Sequence, residues 1–252
     1  MKSQDPNQEH LQSIINLYTE GQLQQALSES SQMLERFPNS VILYNIAGAS
    51  NAALMQFDAA IESYKQALRI KPDYADAYYN MGVALNDKGD PEAAIESYKQ
   101  ALRIKPDYAK AYNNMGVALN DKGDPEAAIE SYKQALRIKP DYADAYNNMG
   151  SALKDKGDLE EAIDNYKQAL RIKPDYAEGH SNLGAALQLL NQIEPALASY
   201  EKAISLKKDL NTAISGLGMA LLKKGEHSEG LDKLRQGDGS ILFNIKSGLS
   251  IK

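Results

Sequence analysis

The chain has 252 residues, 43% of them hydrophobic and 25% charged, with a formal net charge of −6. It contains no cysteine, which excludes a disulfide framework, a cysteine-based metal site and a thiol nucleophile. Its acidic balance argues against a general nucleic-acid binder, whose phosphate contacts need a basic face, and its hydrophobic fraction argues against wholesale disorder. The oddity is 15 Tyr beside 3 Phe and no Trp.

The N-terminus, MKSQDPNQEH, is polar, carries Asp5 and Glu9, and has no apolar run after Lys2. That is unlike a secretory signal peptide. No stretch approaches the roughly 18 consecutive apolar residues of a membrane helix. The expectation is a cytoplasmic chain without membrane insertion.

From there the chain is built of copies with a period of 34 residues. The segment from Ala75 to Tyr108 recurs from Ala109 to Tyr142 with two changes, Asp76 to Lys110 and Tyr79 to Asn113. Looser copies flank these two. The expected divisions are a degenerate unit over 7–40, five tandem units (41–74, 75–108, 109–142, 143–176 and 177–210), degenerate helices over 211–236, and an extended tail over 237–252.

Each unit predicts two short helices. In 75–108 the first runs from about Tyr74 to Lys88, with Ala77, Met81, Ala84 and Leu85 at helical spacing. Gly89 ends it. Asp90 caps the second helix and Pro91 starts it, with Ala94, Ile95, Tyr98, Ala101 and Leu102 facing inward. Pro106 blocks continuation. Asp107 and its equivalents are expected to cap the next first helix, with Asp73…Asp76, Asp141…Asp144 and Asp175…Glu178 resembling capping boxes. Small residues at Gly82, Ala94 and Ala101 let the helices approach. Such a hairpin cannot bury both faces alone, so the units should stack as an all-α solenoid.

Tyr78-x2-Met81-Gly82-x2-Leu85, Ala94-x3-Tyr98-x2-Ala101 and Pro106 resemble the tetratricopeptide repeat, with Tyr in the usual Trp and Phe places. The resemblance implies a right-handed α-α superhelix whose first helices line the concave side. It also accounts for most tyrosines as packing, in rows at Tyr44, Tyr78, Tyr112 and Tyr146, at Tyr64, Tyr98, Tyr132, Tyr166 and Tyr200, and at Tyr74, Tyr108, Tyr142 and Tyr176. Only Tyr18 and Tyr79 fall outside them.

Asn80, Asn114, Asn148 and Asn182 share one phase of the first helices. Asn is a mediocre helix former, so propensity does not explain the row. Amides can hold the backbone of an extended peptide through donors and an acceptor, and long-superhelix members such as protein O-GlcNAc transferases carry a similar row. The bland alternative is solvated or mutually paired residues copied by duplication. Asp76, Lys110, Asp144, Tyr79, Asn113 and Asn147 are read as lying on the same exposed face, where they would tune side-chain choice. The co-chaperone carboxylate clamp does not fit, because Tyr79, Asn113 and Asn147 stand where its first lysine belongs.

Catalysis finds little support. His10 and His180 fall in an aromatic packing phase, His227 falls in a connecting loop, and Gly216-Leu-Gly218 lies within a helix. No HExxH, P-loop or triad pattern occurs, so no cofactor or metal is expected. Glu62, Glu96 and Glu130 read as surface pairs with Lys65, Lys99 and Lys133. Near the C-terminus Gly237-Asp238-Gly239 should cut the last helix. Ile241, Phe243 and Ile245 then alternate as a strand, either capping the solenoid end or pairing elsewhere. The expected function is a non-enzymatic scaffold that binds an extended peptide or protein segment. The alternatives are a substrate-presenting module of a transferase or oxygenase system and self-association through the solenoid ends.

Overall fold

In a computed structural model, residues 5–238, 241–244 and 248–251 are described. The chain divides into two compact units, Met1–Asp124 and Pro125–Lys252. The first holds helices α1 (Gln8–Thr19), α2 (Leu23–Arg36), α3 (Val41–Ala53), α4 (Phe57–Ile70), α5 (Ala75–Lys88), α6 (Pro91–Ile104) and α7 (Ala109–Asp121). The second holds α8 (Pro125–Ile138), α9 (Ala143–Lys156), α10 (Leu159–Ile172), α11 (Ala177–Leu189), α12 (Ile193–Leu206), α13 (Asn211–Lys224) and α14 (His227–Asp238). It ends in an antiparallel hairpin of β1 (Ile241–Asn244) and β2 (Gly248–Ile251).

Local punctuation sets the helix ends. Gly89 takes φ +90°, a left-handed stop that costs glycine little. One residue on, the Asp90 carboxylate accepts the Ala93 N–H at 3.1 Å, and Pro91 opens α6. Ala94, Ile95, Tyr98, Ala101 and Leu102 are buried as the periodicity requires, as are Ala77 and Ala84. Met81 and Leu85 pack half-buried against Ala60, Ile61 and Tyr64.

In α3–α4, α5–α6, α9–α10 and α11–α12 the lock of the helix pair is a tyrosine ring laid on a glycine. A Cβ built on Gly82 would stand 2.6 Å from Tyr98 Cε1, and one on Gly48 would stand 2.6 Å from Tyr64 Cε1. In the second unit the corresponding distances are 2.8 Å for Gly150 on Tyr166 and 2.9 Å for Gly184 on Tyr200. Overpacking of this kind costs about 1–3 kcal/mol, so the glycines are what lets the rings lie flat against the first helices. The outer tyrosine row is different. Tyr74, Tyr108, Tyr142 and Tyr176 are half-buried, and the ammonium three residues earlier covers each ring, at 4.5 Å for Lys105 on Tyr108 and for Lys173 on Tyr176.

Several expectations need correction. The first helices are capped by Tyr74, Tyr142 and Tyr176 rather than by the preceding aspartates, and no side-chain cap bond forms there. The aspartates sit one residue too early, inside the turn that follows each proline. Glu62, Glu96 and Glu130 each accept from the amide one turn later (Gln66, Gln100 and Gln134), and only Lys133 forms the expected pair, at 3.9 Å. His10 is exposed rather than packed, whereas half-buried His180 bonds the Pro174 carbonyl at 3.0 Å. His227 opens α14, which runs on through Gly237 to Asp238. The strands beyond pair with each other. Gly239, Ile245 and Lys246 lie outside the described residues.

Candidate functional site

A helix advances 100° per residue, so positions three, four and seven apart share a face. That puts Asp76, Asn80, Val83 and Asp87 on one stripe of α5. Within the first unit α3 adjoins α1 and α5, and α5 adjoins α7; within the second, α11 adjoins α9 and α13. The first helices therefore bring their equivalent stripes side by side within each unit.

The asparagine row is half-buried and cross-linked. Asn80 Nδ2 donates to Asn45 Oδ1 at 3.1 Å, and Asn114 Nδ2 donates to the Tyr79 phenol at 3.1 Å. In the second unit Asn182 Nδ2 donates to Asn147 Oδ1 at 3.0 Å. Each bond spans 35 residues. Within a unit, the residue just before the Asn phase in one repeat thus supports the Asn of the next. Neighbouring amides add to this, with Asn113 Nδ2 donating to Asn114 Oδ1 at 3.1 Å and Asn147 Nδ2 to Asn148 Oδ1 at 3.4 Å.

This geometry corrects the exposed placement of Asn113 and Asn147. They are 4% and 6% exposed, because a one-residue step turns a side chain 100° away from the open face. Tyr79 is half-buried, its ring centroid 5.0 Å from that of Tyr108 and 6.1 Å from that of Tyr98. Burial pushes the Tyr79 phenol up in pKa, and the Asn114 bond works against the shift.

Asp76, Lys110 and Asp144 do stand exposed. Asp76 accepts from Tyr108 Oη at 2.9 Å, and Asp144 takes the equivalent bond from Tyr176. Burial first, then the bond to Asp76, raises the Tyr108 pKa. Glu178, at the same phase, pairs with Lys207 at 3.0 Å, which holds its carboxyl below the usual range.

The sequence places Asn45 in the phase just before the asparagine row but gives it no role, and it does not single out Tyr18 or Asp87 for this face. Asn45 shares the Tyr79 phase, and that was the available signal for its bond to Asn80. Tyr18 and Asp87 meet in a pocket of about 260 Å³ in the first unit, also lined by Ala49, Ala52, Asn80 and Val83. No phase relation links Tyr18 to the tyrosine rows, so only the fold brings it there. Among the described residues no cluster of His, Asp or Glu could hold a metal ion, and no helix is long and apolar enough to cross a membrane.

Comparison with known proteins places these features in a family. A TPR repeat model matches residues 53–89, 84–123, 118–157 and 150–191, and a tetratricopeptide repeat model matches residues 177–210. The probable UDP-N-acetylglucosamine--peptide N-acetylglucosaminyltransferase SEC of Arabidopsis thaliana is 36% identical over 76 residues, which is 30% of this chain and 8% of that protein. The chain thus spans only a small part of that relative. The crystal structure of MamA is 28% identical, with a TM-score of 0.58 and coverage of 64% of this chain and 94% of that one. The APC/C hetero-tetramer Cut9-Hcn1 superposes with a TM-score of 0.77 over 93% of this chain and 46% of that one, and at 16% identity it shows the fold alone. With the TPR repeat model matching more than half of its residues, the chain belongs to the tetratricopeptide repeat family.

Proposed function

We infer that this chain is a non-enzymatic interaction scaffold that holds an extended peptide or protein segment on the faces that the first helices form within its units. Tetratricopeptide repeats are typically non-catalytic interaction modules, and the family membership supports that coarser reading. The observation that carries the finer one is the support beneath the asparagine row. Asn80 and Asn182 each spend one amide proton on a neighbouring residue. An amide has a second proton and a carbonyl oxygen with two lone pairs. The bonds fix the orientation of the side chains and leave groups turned toward the open face, so a peptide backbone meets preorganised partners and less side-chain entropy is lost on binding. Asn114 and Asn148 are the other two members of the row. Asp76, Lys110 and Asp144 supply charge beside it, while Tyr79, Asn113 and Asn147 support it from below.

The test is a peptide-array screen on the full chain, followed by Asn80→Ala combined with Asn114→Ala. Loss of two backbone hydrogen bonds should weaken selected peptides by about tenfold or more. Unchanged affinity, with the helical circular dichroism intact, sinks the backbone-holding role.

A second reading is favoured by the match to the SEC transferase. In it the chain presents substrates to a separate transferase or oxygenase. Co-purification of such an activity with the tagged chain from its host would favour this reading, and its absence from the eluate would count against it.

A further inference from the structure

We propose that the pocket beside Asn80 takes the side chain of a lysine or arginine in the bound segment. The backbone would lie against Asn80, the aliphatic stem across Val83 and the alanines, and the cationic end against Asp87. This inference rests on the peptide-binding reading above and adds a chemical preference to it.

Three observations carry it. The first is spacing. Asn80, Val83 and Asp87 follow one another on the same stripe of α5, and Asn80 and Asp87 are two turns, about 10.5 Å, apart along the axis. Reduced by the inward reach of both side chains, that gap suits a long flexible stem ending in a charge. It is too long for Ser, Thr or Asn.

The second is charge. Asp87 is exposed and forms no ion pair or hydrogen bond among the described residues, and no Lys or Arg lines the pocket. Equivalent aspartates are engaged: Asp121 accepts from Asn86 at 3.4 Å, and in the second unit Asp155 lies 3.7 Å from Lys154. Across the groove the position equivalent to Asp87 is Ala53, which leaves room and offers no competing charge.

The third is size and lining. A volume of about 260 Å³ lies below the roughly 300–1,000 Å³ of drug-sized ligand sites and matches one long side chain. Ala49, Ala52 and Val83 form apolar walls for methylenes. Half-buried Tyr18 and buried Tyr64 complete the lining. An aromatic ring beside a carboxylate favours a cation over a neutral end group.

The experiment is selection of a displayed random peptide library on the full chain and on Asp87→Asn in parallel. Peptides selected on the native chain should share a Lys or Arg at one fixed position, and those selected on Asp87→Asn should lose it. In a resynthesised binder, exchange of that residue for norleucine should weaken binding to the native chain about fivefold and leave binding to Asp87→Asn unchanged. Native-chain binders without a basic position, or a norleucine effect equal in both proteins, overturn the pocket assignment. If Asn80→Ala still weakens those binders, peptide binding survives and the pocket assignment alone falls. A selection that yields no binder to the native chain overturns both.

Discussion

Ser50 stands in a column that holds alanine in every later copy. Ala84, Ala118, Ala152, Ala186 and Ala220 follow it at intervals of 34 residues, and all are fully buried. The Ser50 hydroxyl is equally buried and has no hydrogen-bond partner. A buried unsatisfied hydroxyl costs about 1–3 kcal/mol, and alanine fits the column. Ser50→Ala should therefore raise stability by about 1 kcal/mol, read as a higher urea midpoint; a lower midpoint would show that the hydroxyl contributes a bond. Column reasoning of this kind also made Asn80, Asn114, Asn148 and Asn182 legible as one row. It did not reveal the bonds from Asn80 to Asn45 or from Asn182 to Asn147, because phase tells which face a residue shares and not which neighbour it reaches.

At the scale of the helix, the same landmark behaves differently from copy to copy. Asp90 caps α6 through the Ala93 N–H, whereas Asp158, one position before α10, makes no cap bond and pairs with Lys156 at 2.6 Å instead. Asp90→Ala should cost about 1 kcal/mol. Asp158→Ala should cost less, since solvent screens an exposed ion pair. Paired denaturation curves decide it, and equal losses would mean that capping is not what Asp90 supplies. The helices themselves were legible because Gly89, Pro91 and Pro106 punctuate them, and each acts through backbone geometry that no tertiary contact overrides. The caps of the first helices were misplaced by one residue, since Asp-Tyr offers two adjacent starts and sequence favours the aspartate. The pocket at Tyr18 and Asp87 was not legible, because it joins helices from separate repeats and its tyrosine belongs to no row.

Across the whole molecule, buried phenols couple stability to alkaline pH. Burial pushes Tyr64 and Tyr98 up in the first unit, and it pushes Tyr166 and Tyr200 up to about 12 in the second. In the unfolded chain a phenol titrates near 10. Below that value these tyrosines are neutral in both states and their burial stabilises in full. Between about pH 10 and pH 12 the unfolded chain ionises first, so each step upward favours unfolding. The denaturation midpoint should fall through that window, with tyrosinate absorbance rising together with the loss of helix. A midpoint unchanged up to about pH 11.5 would mean that the phenols ionise in place.

The tyrosine-on-glycine lock closes inside a single repeat, while within the units three hydrogen bonds of the row, at Asn80, Asn114 and Asn182, step to the preceding repeat with the same offset of 35 residues. Remove residues 75–108 and Asn45 comes to stand 35 positions before Asn114, in the register that it now keeps with Asn80. The seams are therefore interchangeable, as the teeth of a zip are. A replication slip that adds or drops one copy within a unit keeps this register and alters only the number of asparagines in the row. The near-identity of 75–108 and 109–142 shows how closely two copies can share this register. Repeat number is thus the dimension along which the row can lengthen without any redesign of the core.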